Sequence, residues 1–276
     1  MKHLALLLPC IILAACVKDE TEAPMSQIVV EGWIEDGGYP VVTLGETRPV
    51  DTQMQDINEY IIQWGKITVS DGEHSVILTG GYDDRYFPPY KYTSYDIIGK
   101  AGKTYTLTVE YRGRSVTAVT TIPAPVRIDS LRVVQSESDT LFYVKAFFRD
   151  NPETKDYYGL FARRDGKDKA FLLSPMGAFS DEVLPAQAAA NVYCGTSIYT
   201  EADREASEYF KEGDYVQVQL RHFDEASYRF WRSYSNYLNL SSNMFFPYTQ
   251  ELESNIQGGK GYWCGYGTHT RSVRIR

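Results

Sequence analysis

Four cysteines, four histidines and 36 acidic side chains are the residues of this 276-residue chain that could carry chemistry. The histidines fall at His3, His74, His222 and His269, far apart and with no H-E-x-x-H pattern, so the spacing predicts no zinc set. There is no G-x-S-x-G elbow for a nucleophilic serine. Gly99-Lys100-Ala101-Gly102-Lys103-Thr104 looks like a phosphate loop, but the leading glycine would have to stand where Ile97 stands. The same residues read as a turn entering a strand. Asp83-Asp84 offers two adjacent carboxylates without the surrounding spacing of an EF-type calcium loop. A pair of carboxylates could hydrolyse a glycoside, yet nothing in the sequence selects a pair. The expectation is therefore no catalytic residue, no metal and no cofactor.

The second chemistry on offer is recognition by aromatic rings. Between Gly81 and Asp96 the chain gathers Tyr82, Tyr86, Phe87, Tyr90, Tyr92 and Tyr95 around Pro88-Pro89, with Asp83, Asp84, Arg85 and Lys91 among them. Glycines and prolines at this density predict a long loop. Tyrosines give contact area at low entropic cost, so the loop is the candidate binding surface. The other reading is that the rings fold back over an open sheet edge or a domain interface.

The elements that must position these residues are mostly strands. Ile28 to Ile34 and Pro40 to Leu44 are strand candidates, and Ile67 to Ser70, Asp71-Gly72 and Ser75 to Leu78 read as a hairpin. Tyr105, Leu107, Val109 and Tyr111 alternate with polar residues, and the chain returns from Ser115 to Thr121 after Arg112-Gly113-Arg114. Pro123 and Pro125 interrupt any ladder, which places a domain boundary there. Ile128 to Val134, Leu141 to Phe148, Tyr157 to Arg163, Ala170 to Leu173 and Asp214 to Arg221 continue the strand pattern. One helix is expected near 224–240, capped by Asp224, with Tyr228, Trp231, Tyr234 and Leu238 as its core stripe. Glu201 to Lys211 is a candidate for a second, polar helix. The fold class is mainly β. Two β-sandwich domains are expected: 27–124, immunoglobulin-like or transthyretin-like, and 125–276, carrying the short helix. The net charge of −8 argues against a nucleic-acid partner, which would need a basic face.

The amino terminus predicts where the chain works. Lys2 and His3 precede an apolar run from Leu4 to Ala14, too short to span a bilayer and suited to a signal peptide over 1–15. Leu13-Ala14-Ala15-Cys16 resembles the bacterial lipobox, which implies cleavage before Cys16, a diacylglyceryl thioether on its sulfur and fatty acyl chains such as palmitate. Residues 16–26 then form a lipidated flexible tether. Within it, Val17-Lys18-Asp19-Glu20-Thr21-Glu22 resembles the acidic export signal of surface lipoproteins. Cys10 leaves with the signal, so Cys194 and Cys264 remain. Export to an oxidising compartment predicts a disulfide between them, closing a loop of about 70 residues.

Ala101 to Val109, the Thr121-Ile122-Pro123 exit, Ile128-Asp129-Ser130-Leu131 and the stretch Ser254-Asn255-Ile256-Gln257-Gly258-Gly259-Lys260-Gly261-Tyr262-Trp263 resemble the lipoprotein family catalogued as domain of unknown function 4249. The glycine-rich stretch reads as a tight turn feeding a last strand, His269 to Ile275. Members are typically Bacteroidota outer-envelope lipoproteins, often encoded beside TonB-dependent outer-membrane receptors. The resemblance implies a lipid-anchored protein at the outer membrane and cell surface, an accessory or ligand-binding partner of such a transporter. The alternatives are an envelope hydrolase with an unrecognised carboxylate pair, or a structural or adhesin lipoprotein.

Overall fold

The computed structural model describes residues 26–47, 60–138, 140–183, 185, 187–195, 208–241 and 251–276. The expected signal peptide, Cys16 and most of the expected tether lie outside them. The chain is mainly β, with one α-helix among the described residues.

The first strands follow their alternation. In β1 (Ile28–Glu35) every second residue is buried, and Ile28, Val30 and Ile34 enter one core cluster. β2 (Val41–Glu46) pairs with β1 antiparallel. Opposite them lies a four-stranded sheet in the order β4-β3-β7-β8. It comprises β3 (Lys66–Ser70), β4 (Ser75–Ile77), β7 (Thr104–Tyr111) and β8 (Arg114–Thr121). Ile67, Val69, Tyr105, Leu107, Val109, Val116 and Ala118 face Val30, Val42 and Leu44 across this core. The β7–β8 turn is Arg112-Gly113, both at positive φ (48° and 76°), the two-residue turn whose twist suits a hairpin.

The segment Gly81 to Asp96 is not a long loop. β5 (Thr79–Tyr82) and β6 (Tyr90–Thr93) form a hairpin, Tyr82 opposite Tyr90, and β6 joins the large sheet through β2. β5 is the edge of that sheet.

After Pro125 a second four-stranded sheet forms from β9 (Ile128–Gln135), β10 (Leu141–Arg149), β13 (Gln187–Val192) and β14 (Phe210–Lys211). It packs on β11 (Tyr157–Arg164) and β15 (Tyr215–Phe223) around Val144, Ala146, Phe148, Tyr158, Leu160, Val216, Val218 and Leu220. β12 (Leu172–Ser180) borders β11. Glu201 to Lys211 is partly outside the described residues; within them Phe210–Lys211 is strand, not helix, because Phe210 is fully buried in this core.

The last strand, β16 (Lys260–Arg274), is 15 residues long and starts within the glycine-rich stretch rather than at His269. From Lys260 to Tyr266 it runs parallel to β1; from Tyr266 to Arg274 it runs antiparallel to β15. The result is one eight-stranded sheet, β12-β11-β15-β16-β1-β2-β6-β5, shared by both sandwiches. The boundary expected at Pro123 to Pro125 separates the two cores but not the sheets, and Ile256 and Trp263 pack in the first core. The linker crosses the inner face of β16 so closely that a Cβ on Gly267 would lie 2.4 Å from the Pro123 carbonyl oxygen.

Helix α1 (Glu225–Ser241) lies on the outer face of the shared sheet. Tyr228, Trp231 and Tyr234 pack there with Phe161, Phe223, Tyr262, Cys264 and Tyr266, so the aromatic stripe is core.

Candidate functional site

The hairpin splits the six aromatic residues into two sets. Tyr92 is 2% exposed; its hydroxyl donates to Ile62 O at 2.8 Å and accepts from Gly65 N at 3.1 Å. Burial pushes its phenol up to about 12. Tyr90 lies edge-on to it at 5.4 Å, packed on the first core. Tyr86 stacks on Trp33 at 6.0 Å, with the Lys91 ammonium 4.8 Å from its ring centre. The other three are exposed to different degrees: Tyr82 is 76% exposed, Tyr95 73% and Phe87 40%. Tyr95 meets Tyr39 edge-on at 4.9 Å.

The turn beneath is tied rather than loose. Asp83 accepts from Arg85 Nε at 2.8 Å and Nη2 at 2.7 Å, and lies 2.9 Å from Lys91 Nζ. These partners, Arg85 first, hold its carboxyl far below the usual range. Asp83 is thus a structural anchor, not a calcium ligand in waiting.

The three described histidines also have partners. His222 places Nδ1 2.8 Å from Ala124 O and Nε2 3.2 Å from Asp156 Oδ1, so neither nitrogen faces a substrate. His269 Nδ1 accepts from Ile128 N at 3.1 Å. His74 joins Asp71 and Glu73 in a group with one ligand atom from each within 4.8 Å of the others, which spacing in sequence did not suggest. Lys103 already occupies it, 2.9 Å from Asp71 and 3.5 Å from Glu73, so the group is an ion-pair cluster.

The expected Cys194–Cys264 bond is absent. Both residues are buried thiols in different clusters: Cys194 in the second core, Cys264 beneath α1. The strand register fixes Cys264 opposite Trp33, on the helix side of the sheet. Burial pushes its thiol up to about 12, which also removes the thiolate that oxidation requires.

Sequence reasoning missed the outer face of the shared sheet. Glu31, Trp33 and Glu35 alternate outward from β1 and stand opposite Tyr262, Cys264 and Tyr266. Arg221, 8% exposed, lies between the Phe161 and Tyr266 rings at 4.1 and 4.5 Å. It donates to Gln219 Oε1 at 2.6 Å and reaches Glu35 at 3.4 Å. Trp231 Nε1 donates to the Tyr266 hydroxyl at 2.9 Å. Glu31 is mostly buried, and burial alone raises its carboxyl to about 7. The available signal was its setting: a glutamate at an outward position between Val29 and Trp33.

Two sandwiches that share one eight-stranded sheet, with a braced hairpin at its edge, define a mainly β protein. Residues 17–272 match the family described as Domain of unknown function (DUF4249), and the chain belongs to it. No curated protein matches the chain.

Proposed function

We propose that the protein is a non-enzymatic accessory lipoprotein. It is anchored at the outer membrane through Cys16, displayed at the cell surface, and engages a TonB-dependent transporter or its cargo. The observation that carries this reading is the braced β5–β6 hairpin, which leaves Tyr82 exposed, with the exposed Tyr95 just beyond it, while Tyr86, Tyr90 and Tyr92 fix its base. Rigid aromatic rings on a tied turn lose little entropy on contact. A lipid anchor supplies a high local concentration beside the transporter, so a weak contact suffices. The lipobox, the acidic tether and the gene neighbours implied by family resemblance support the location.

Two experiments test it. Cys16→Ser should move the chain from the membrane fraction to the soluble fraction, and retention in the membrane would refute the anchor. Affinity purification after mild detergent extraction should recover a transporter, and Tyr82→Ala with Tyr95→Ala should lose it while leaving the thermal transition unchanged. Recovery of the same partners by that double variant would refute the hairpin's role.

A further inference from the structure

On the outer face of the shared sheet, Glu31 makes no hydrogen bond or ion pair with any described residue, and burial is the sole influence on its carboxyl. Its registered neighbours are Tyr262 on β16 and Thr43 on β2. Thr43 is 2% exposed, and its Oγ1 is buried without a hydrogen-bond partner. Directly opposed residues of an antiparallel pair have Cβ atoms about 5 Å apart, so an orphan carboxyl and an orphan hydroxyl share one place. Each such group costs free energy that the fold does not recover. Trp33, two residues along β1, brings a ring to the same face.

The cations on neighbouring strands are already committed. Arg221 is held by Gln219 and Glu35, Lys91 by Asp83, and Lys260 by Glu251. Among the described residues, no cation is left to neutralise Glu31. A neutral hydroxyl would satisfy hydrogen bonding but leave the carboxylate uncompensated in an aromatic setting. An ammonium meets both needs, and rings beside it add cation–π attraction.

We propose that this place binds a primary ammonium group carried on an apolar chain, with the Glu31 carboxylate as counter-ion, the Thr43 hydroxyl accepting a second N–H, and Trp33 and Tyr262 as walls. The inference does not rest on the anchor or on any transporter. The ammonium can belong to a free amine or to a lysine side chain of a partner.

Calorimetric titration of the full chain in mild detergent tests it. Near pH 8.5, n-butylamine should bind and n-butanol should not. Glu31→Gln should weaken butylamine at least about tenfold, and Thr43→Val about threefold, in line with the loss of a charged and a neutral hydrogen bond. Binding should weaken as the pH falls below about 7, where the carboxyl takes up its proton. Nα-acetyl-lysine methylamide separates the sources: tighter binding than butylamine assigns the place to a lysine side chain, weaker binding to a free amine. In parallel, the NMR titration midpoint of the wild-type Glu31 carboxyl should fall when butylamine is added, a readout independent of any variant's folding. Absence of binding heat, equal affinity of wild type and Glu31→Gln, or an unmoved midpoint would overturn the proposal.

Discussion

Glu31 costs the fold stability, and the sign of that cost with pH is fixed. The folded chain holds the proton until about pH 7, while the unfolded chain releases it near the ordinary carboxyl value of 4.5. The group's contribution is therefore fully present below pH 4.5 and is lost as pH rises through 7. Glu31→Gln should stabilise the protein by about 1–3 kcal/mol near pH 8 and change little near pH 4. Chemical denaturation at the two pH values checks this; equal effects at both would refute it. His269 runs the other way: burial first, then Arg127 and Arg271, lower its pKa, so its contribution is lost as pH falls, and it cancels in the comparison of variant with wild type. The two thiols give a second prediction at this scale. Cys194 and Cys264 should both react with a thiol reagent after unfolding without reductant, and both should be silent in the folded protein. These residues were poorly legible in sequence. A cysteine count and a redox compartment say nothing of which face of which sheet each thiol occupies. A glutamate in a period-two strand reads as solvent-facing until the helix side of the sheet is known.

Asp224 does more at the scale of an element than cap α1. Its Oδ1 accepts from Ser227 N at 2.8 Å, while Oδ2 accepts from Thr120 Oγ1 at 2.7 Å and Thr121 N at 2.9 Å. One carboxylate thus starts the helix and pins it to β8 of the first sandwich. Asp224→Ala should cost about 2–4 kcal/mol in urea denaturation, more than a cap alone, because Thr120 and Thr121 also lose their acceptor. Loss of about 1 kcal/mol or less would mean that the link to β8 carries no weight. The helix, its cap and its stripe were legible because periodicity and capping are local signals. The hairpins at Asp71-Gly72 and Arg112-Gly113 were legible for the same reason. The β5–β6 hairpin was not: Gly80-Gly81 and Pro88-Pro89 erase the strand pattern, and the pairing of β6 with β2 is non-local. β14 was hidden similarly, since a two-residue strand has no period to read.

At the scale of the whole molecule, β16 decides whether there are one or two folding units. Trp263 sits in the first core, fully buried, and its Nε1 donates to Tyr105 O at 3.1 Å in the opposite sheet. Three residues later Tyr266 pairs with both Glu35 and Phe223, and the strand passes into the second sandwich. The first sandwich therefore takes a central strand from the far end of the sequence, which Pro123 and Pro125 concealed by marking a boundary that only the cores obey. The backbone allows this at one costly place: Gly261 adopts φ 103°, and a Cβ there would lie 1.8 Å from Val30 O. Its hydrogen is what lets β16 lie parallel to β1, which is why the glycine-rich stretch is informative about the fold. A fragment comprising 27–124 should then fail to fold alone, since it would expose the flank of β1 and the cavity left by Trp263. In the full chain, Trp263→Ala should cost about 3–5 kcal/mol. Because β16 is hydrogen-bonded in both sandwiches, that loss should speed hydrogen exchange at β15 as well as at β7 and lower a single thermal transition. Exchange accelerated at β7 alone, or two separate transitions, would show that the sandwiches unfold independently despite the strand they share.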